Sequence, residues 1–579
     1  MNTMNMTKSC WALVFLAGSS ALTARDRPNV ILVITDDQGY GDLGCHGNEI
    51  IQTPHLDQLY EQSARLTDFH VSPLCTPTRA GLMMGQNPVR LGAWGTTWGR
   101  SLPRADATTM AKVFAAAGYR TGCFGKWHLG DNYPFRPQDR GFQEVLIHGG
   151  GGVGQAPDYW GNDYFDDTYF RNGRPEKQEG YCTDVWFDAA WDFIQAGSDR
   201  PFFVYLTTNA PHGPFLVADK YRQLYDKNPN CPNAAFYGMI TNIDDNMGRL
   251  LDRLKTKSLA DNTILIFTTD NGTAAGFRSG KGFNAGMRGA KGSLYDGGHR
   301  VPCFIRWPSG GLTGGRDVAN LTSHVDMIPT LADLCGVRIP EETQLDGISL
   351  APLLLGRTDS LPDRKIFVQF RQSSQPPEKG RATVMTERWR LVGDRQLFDI
   401  DADPGQQQDV AAAHPEVVGE LRRAYEDWWA DVSQRFDEFN HIVLGDDAEN
   451  PVHLCSFDWH TQTAWSQRQV RSGAAVNSFW AVEIARAGSY EITLRRWPEE
   501  ANAPITAAIP GGKAIAASEA RVKIAEIDLT KPIPAGATAV TFTVDLVRGP
   551  TRLQTWLIDS QSRQTRGAYY VSVKRREDG

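Results

Sequence analysis

The stretch Pro73-Leu-Cys-Thr-Pro-Thr-Arg-Ala-Gly-Leu-Met-Met-Gly85 puts a thiol at 75, a proline at 77 and a guanidinium at 79. Proline suits the first turn of a helix, so Cys75 falls near a helix amino end and Arg79 about one turn further along. The helix dipole, the free N–H groups and the guanidinium all favour negative charge, an arrangement for binding and transferring an anion. Two acidic pairs, Asp36-Asp37 and Asp270-Asn271, each close an apolar β-branched run. Carboxylate and amide oxygens are the donors that a hard divalent cation takes. Singly, Asp36-Asp37 also suits a turn or a helix cap and Asp270-Asn271-Gly272 a tight turn, while Asn271-Gly-Thr273 is a glycosylation sequon; the repeated placement after an apolar run favours a shared site. Lys126 and His128, in Gly125-Lys-Trp-His-Leu-Gly130, stand two apart and face one side of an extended segment. His212 follows a third apolar run, and Lys291 lies in Arg288-Gly-Ala-Lys-Gly-Ser-Leu-Tyr-Asp-Gly-Gly-His-Arg-Val-Pro302, whose His299 is a candidate substrate contact.

These motifs resemble those of the type I, formylglycine-dependent sulfatases of the alkaline-phosphatase-like superfamily. Cys75, Pro77 and Arg79 match the signature Cys-x-Pro-x-Arg, and Leu74 and Thr76 match the strong form of the maturation motif. Asp36 and Asp37 match the early metal-binding pair, Asp270 and Asn271 the later one, and Lys126, His128, His212 and Lys291 the remaining polar positions, in family order over roughly residues 27–440. The resemblance implies a sulfuric ester hydrolase whose Cys75 is oxidised by a formylglycine-generating maturase, the aldehyde hydrate being the nucleophile. It implies one divalent cation, Ca²⁺ ahead of Mg²⁺, held by Asp36, Asp37, Asp270, Asn271 and the oxygen of modified residue 75. It further implies that Lys126, Lys291 and Arg79 meet the sulfuryl oxygens and that His212 protonates the leaving group. His128 then takes a hydroxyl proton so that C–O cleavage releases sulfate and restores the aldehyde.

Positioning these groups requires strands that end together. The apolar runs at 29–35, 201–208 and 263–269 alternate with helical patterns such as 107–117 and 234–255, which predicts an α/β domain with a mostly parallel central sheet sandwiched by helices. Polar groups at the carboxyl ends of such strands are where a site belongs. The expected organisation is a signal peptide at 1–24, a catalytic domain at 25–364, and a smaller antiparallel-sheet α+β subdomain at 365–447. An accessory β-sandwich follows at 448–579, where short alternating segments are separated by Gly, Pro and Asn turns. Residues 149–154 are a glycine-rich patch.

The composition fits a folded protein: of 579 residues 41% are hydrophobic, and the net charge of −7 argues against a nucleic-acid partner. Residues 11–18 form an apolar run too short to span a bilayer, followed by Ser19, Ser20 and Ala21; this reads as an export signal, with a periplasmic or extracellular destination and no transmembrane segment. Of the cysteines left after export, Cys182 and Cys231 are the expected bridging pair. Trp94, Trp98, Tyr159, Trp160 and Tyr164 lie in loops close to the motifs, and aromatic faces with polar edges suit sugars, so the expected substrate is a sulfated polysaccharide or oligosaccharide. A phosphate or phosphonate monoester hydrolase of the same superfamily and a non-catalytic glycan-binding protein are the competing readings.

Overall fold

The computed structural model describes residues 27–576 apart from 198, 278 and 279. The expected signal peptide lies outside the described residues. Four strands carry the site: β1 (Asn29–Thr35), β2 (Arg120–Lys126), β3 (Phe202–Thr207) and β4 (Thr263–Thr269). They are adjacent and parallel in the order β4-β1-β3-β2 at the heart of a ten-stranded sheet. Strands buried on both faces favour near-continuous apolar residues, which is why β1, β3 and β4 do not alternate. Val30, Leu32 and Ile34 point into one core with Met83, Phe114 and Met327, whereas Ile31 and Val33 point into another with Trp186, Met239 and Ile243. Three helices matter here: α1 (Cys75–Met84), α2 (Cys182–Gln195) and α3 (Ala234–Thr256). The first supplies Met83 to one core, and the other two supply Trp186, Met239 and Ile243 to the opposite one. Register pairs Ile34 with Thr207 and Thr35 with Thr269, so the strand ends fall level and deliver their following residues to one place. The flanks are antiparallel: Cys303–Arg306 pairs with β4 on one side, and Thr168–Arg171 with Arg174–Lys177 on the other.

A four-stranded antiparallel sheet follows, running from Ile366–Val368 to Gln396–Asp399. The helix Pro415–Val432 covers it, with Val418, Leu421 and Tyr425 packed on Val384, Leu391 and Leu397. The chain ends in a sandwich of a six-stranded and a four-stranded sheet whose first strand is Ile442–Leu444. In Val540–Leu546 the residues alternate buried and exposed, as one solvated face requires. Its core includes Trp459, Trp480 and Trp497, and it also takes in Leu102 and Phe135 from the region of the ten-stranded sheet. A shared core makes the sandwich one body with that region. Removing residues from 448 onward is therefore expected to strip the cover from Leu102 and Phe135 and give aggregated protein, which soluble yield and size-exclusion profiles will show; a monodisperse, folded remainder would contradict the shared core.

At this junction Asp458 is 4% exposed. Burial, and then the nearby Asp131 carboxylate, push its pKa up to about 8. A group whose folded pKa lies above its unfolded value adds stability that is complete at low pH and is lost as pH rises through the folded value. Asp458→Asn is expected to flatten the fall in unfolding midpoint between pH 5 and pH 9 and to raise the midpoint at the alkaline end; an unchanged profile would show that Asp458 is ionised throughout.

All eight cysteines of the described residues are free thiols. The expected Cys182–Cys231 bridge is not formed: Cys182 is buried at the start of α2, where its sulfur accepts from Asn209 Nδ2 at 3.5 Å, and Cys231 is half-buried in the loop before α3. Among the described residues no helix is long and apolar enough to cross a membrane.

Candidate active site

Cys75 is itself the first residue of α1, two positions earlier than Pro77 alone suggests; Leu74 before it is extended. All ten residues of the helix are buried, so Cys75 and Arg79 sit inside the protein at the level of the strand ends. Asp36 and Asp37 follow β1, Lys126 ends β2, and Asp270 and Asn271 follow β4. One carboxylate oxygen from each of Asp36, Asp37 and Asp270 and the sulfur of Cys75 lie within 4.8 Å of one another. Asp37 holds φ at +67°, unusual for a non-glycine residue, which marks a constrained position.

Cations surround this cluster. Lys126 Nζ donates to Asp36 Oδ2 at 2.5 Å, and Lys291 Nζ lies 2.5 Å from Asp37 Oδ1. Arg79 donates through Nε and Nη2 to Asp270 Oδ2 at 3.1 and 2.8 Å, and through Nη1 to the Lys126 carbonyl at 3.0 Å and to Thr207 Oγ1. Gly125 lets β2 come this close: a Cβ there would stand 1.8 Å from the Thr207 carbonyl oxygen. His212 Nε2 is 3.8 Å from Asp37 Oδ2, and its Nδ1 donates to the Gly213 carbonyl at 2.6 Å. His128 directs Nε2 at the Thr96 carbonyl, 3.0 Å away, and its Nδ1 is buried without a partner among the described residues. Each histidine thus has one nitrogen committed to a backbone oxygen, which leaves the other as a proton acceptor.

Burial works against the Asp37 carboxylate, but Lys291, His212 and Lys126 overcome it and hold its pKa well below the usual range. Burial and then the Asp36 charge push Asp270 up to about 6, against the pull of Arg79. Burial, helped by Lys291 and Lys126, holds His212 at about 4 in spite of Asp37, and burial with Lys126 keeps His128 well below the usual imidazole value. The Cys75 thiol is pushed up to about 12 by burial and then by Asp36.

The donor set fits a hard cation. Asp36 Oδ1 and Asn271 Oδ1 are buried and accept no hydrogen bond among the described residues. The Asn271 amide nitrogen donates to Asp37 Oδ1 at 2.9 Å and to the Gly272 carbonyl at 3.0 Å, leaving its oxygen uncommitted. Orphaned oxygens beside converging carboxylates are what an oxygen-seeking divalent ion satisfies. Asn271 is wholly buried, which removes the sequon reading.

All ten residues expected at the site thus meet at the strand ends, but three sequence expectations around it fail. His299 is wholly buried, with Nδ1 2.9 Å from His70 Nδ1 and Nε2 directed at the Leu294 carbonyl, so it is an interior residue with no face open to a substrate. Trp94 and Tyr164 are also fully buried: Trp94 lies under the Arg100 guanidinium, and Tyr164 donates its hydroxyl to the His212 carbonyl. Sequence reading missed Thr207, whose hydroxyl accepts from Arg79 and donates to the Lys126 carbonyl at 2.9 Å; a threonine closing a buried strand was the available signal. The glycine patch at 149–154, which sequence reading gave as composition without a role, lies against both histidines through Gly151 and Gly152.

Residues 28–337 match the Sulfatase family model, and residues 290–428 match the model described as N-sulphoglucosamine sulphohydrolase, C-terminal. The chain is 31% identical to arylsulfatase A of Homo sapiens over 473 residues, covering 71% of this chain and 89% of that protein. It is 29% identical to N-acetylgalactosamine-6-sulfatase of Homo sapiens, covering 69% of this chain and 78% of that one. A crystal structure of Ps i-CgsB in complex with k-i-k-neocarrahexaose superposes with a TM-score of 0.65 at 28% identity, over 72% of this chain and 95% of that one. The chain belongs to the sulfatase family, and it is a sulfuric ester hydrolase of alkaline-phosphatase-like fold. Both family matches end before the sandwich begins.

Proposed function

We propose that this enzyme hydrolyses sulfate monoesters on a sulfated polysaccharide or oligosaccharide, using a formylglycine derived from Cys75 and one bound Ca²⁺. The observation that carries the reading is the meeting of Cys75 with Asp36, Asp37 and Asp270 inside a ring of Lys126, Lys291 and Arg79. Asp36, Asp37, Asp270 and Asn271 would hold the cation, which would supply stabilisation of the charge on the sulfuryl oxygens. Mg²⁺ fits less well, because it demands near-ideal octahedral geometry. Oxidised Cys75 supplies an aldehyde hydrate as the nucleophile.

The remaining work falls to this chain's side chains. Lys126 and Lys291 bring ammonium groups to the sulfuryl oxygens, fixed in place by the acidic pair they already contact. Arg79 is held by Asp270, Thr207 and a strand carbonyl, so its charge is fixed in place one helical turn after residue 75. His212 commits Nδ1 to Gly213, which leaves Nε2 to carry the proton to the leaving oxygen. His128 commits Nε2 to Thr96, which leaves Nδ1 to accept the hydroxyl proton at residue 75 that permits sulfate release.

The relatives' substrates support the carbohydrate part of the reading, since one is named for N-acetylgalactosamine 6-sulfate and another is complexed with a carrageenan oligosaccharide. A cleft of about 780 Å³ that begins at Gly292, the residue after Lys291, has Tyr295, Arg371, Arg381 and Arg395 in its walls against the one carboxylate of Glu378, which pairs with Arg371 and Arg381; it offers room and a net positive lining for an anionic glycan. The apolar run at 11–18 and the small residues after it support export to the periplasm or beyond. Production with a formylglycine-generating maturase, followed by comparison of 4-nitrophenyl sulfate with 4-nitrophenyl phosphate, tests the chemistry: sulfate release is expected to dominate. Preferred phosphate release would establish the phosphatase alternative, and no turnover of either the glycan-binding one.

A further inference from the structure

A second set of metal-ligating side chains meets in the interior, and the mechanism uses none of them. His70 closes the two-residue strand Phe69–His70, five positions before Cys75. Asp296 and His299 are the first and last residues of the short helix Asp296–His299, which follows Lys291 by five positions. All three are wholly buried. One nitrogen from each imidazole and one oxygen of Asp296 lie within 4.8 Å of one another.

The surrounding hydrogen bonds decide which nitrogens carry a hydrogen. His70 Nε2 lies 2.9 Å from Asp68 Oδ1, and that carboxylate takes Arg390 Nη2 on both of its oxygens at 2.9 Å. An ionised carboxylate only accepts, so His70 Nε2 donates. His299 Nε2 lies 3.1 Å from the Leu294 carbonyl, which also only accepts. In neutral rings both Nδ1 atoms are then bare lone pairs, and they stand 2.9 Å from each other. Two acceptors at hydrogen-bond distance with no hydrogen between them repel. Asp296 adds to the imbalance: neither of its oxygens accepts a hydrogen bond among the described residues, and Arg390 Nε meets Oδ1 only as an ion pair at 3.4 Å. A proton shared by the two nitrogens would leave the Asp296 oxygens orphaned, whereas one divalent ion answers all three groups.

The donors select the ion. Imidazole nitrogens with a carboxylate oxygen suit zinc, at about 2.0–2.2 Å. Two tetrahedral donors at that range stand about 3.3 Å apart, so a small ring movement opens the Nδ1 pair to the ion. Histidines that ligate a metal commonly give their other N–H to a carboxylate or a backbone carbonyl, and Asp68 and Leu294 are those partners here.

We propose that His70, His299 and Asp296 bind a Zn²⁺ ion in a closed, structural site separate from the oxygen-lined one at Asp36 and Asp270. The ion pins the chain leading into Cys75 to the chain that follows Lys291. Those segments already touch, since the Val71 N–H donates to the His299 carbonyl at 2.8 Å and the Gly292 N–H to the Pro73 carbonyl at 2.9 Å. The zinc thereby holds the nucleophile segment and the Lys291 segment in register without meeting substrate.

The test uses the full-length wild type and its His70→Gln, His299→Gln and Asp270→Ala variants, each produced in zinc-supplemented medium, gel-filtered, and checked for folding by thermal midpoint. Elemental analysis is expected to give about one zinc per chain in the wild type, the same in Asp270→Ala, and at least about tenfold less in either histidine variant. X-ray absorption at the zinc edge of the wild type, which depends on no variant folding, is expected to show two imidazoles and oxygen at about 2.0–2.2 Å. A zinc-free wild type overturns the site and leaves the shared proton in its place. Zinc without imidazole ligands, or zinc that stays in both histidine variants and leaves with Asp270→Ala, overturns it as well. Turnover enters none of these readouts, so the outcome is independent of the sulfatase reading.

Discussion

Replacing Cys75 with Ala is expected to leave a folded protein that releases no measurable sulfate, a loss on the order of 10⁴-fold or more, as for other removed nucleophiles. The side chain is 2% exposed, and the hydrogen-bond contact of its sulfur among the described residues is a long one, 4.0 Å to Asp37 Oδ1, so replacing the thiol by a methyl group breaks no strong bond. The unmodified thiol is expected to be as inactive as alanine. Release of sulfate by C–O cleavage requires a carbon that bears two oxygens, one to take the sulfuryl group and one to collapse back to the aldehyde, and a cysteine side chain has neither. Mass spectrometry of the peptide containing residue 75 should therefore show the aldehyde mass in active preparations and the thiol mass in inactive ones made without the maturase. Full turnover by protein carrying only the thiol would sink the mechanism.

The sequence showed the strands and the groups at their ends because both obey strong local rules. Asn29–Thr35 and Thr263–Thr269 are continuous β-branched runs, and a parallel strand buried on both faces can be little else. Asp36-Asp37 and Asp270-Asn271 stand directly after them, so placing the strands in one sheet placed the carboxylates together. The substrate side was less legible for a physical reason. Whether an aromatic residue in a loop faces a sugar or the core depends on contacts made by remote segments: Trp94 is buried against Phe436 and Arg100, and Trp160 packs on Trp497 of the sandwich. His299 was misread likewise, because its partner His70 is 229 positions away and only the fold joins them. The glycine patch was visible as composition, but its meaning depends on His128 and His212, which no local pattern connects to it.

Asp270→Ala is the variant expected to damage the site most broadly. Its Oδ1 accepts the Asp37 N–H at 3.0 Å and its Oδ2 accepts two bonds from Arg79, all in a fully buried setting. Alanine removes a cation ligand, frees the amide of the strained Asp37, and leaves the Arg79 guanidinium buried without its carboxylate. A buried charge deprived of its partner costs about 3–5 kcal/mol, so the thermal midpoint should fall as well as the activity. Asp270→Asn separates these effects: the amide oxygen keeps the acceptor for the Asp37 N–H and most of the packing, but the negative charge is gone. It should recover part of the midpoint while remaining deficient in metal. Elemental analysis after gel filtration is expected to give about one calcium per wild-type chain and far less for either variant, with turnover lower by at least about 10²-fold, the upper range for disturbing even a residue that only hydrogen-bonds to a metal's ligand. If Asp270→Ala kept both its calcium and its rate, the ion would have to be held elsewhere, and the orphaned oxygens of Asp36 and Asn271 would need another explanation.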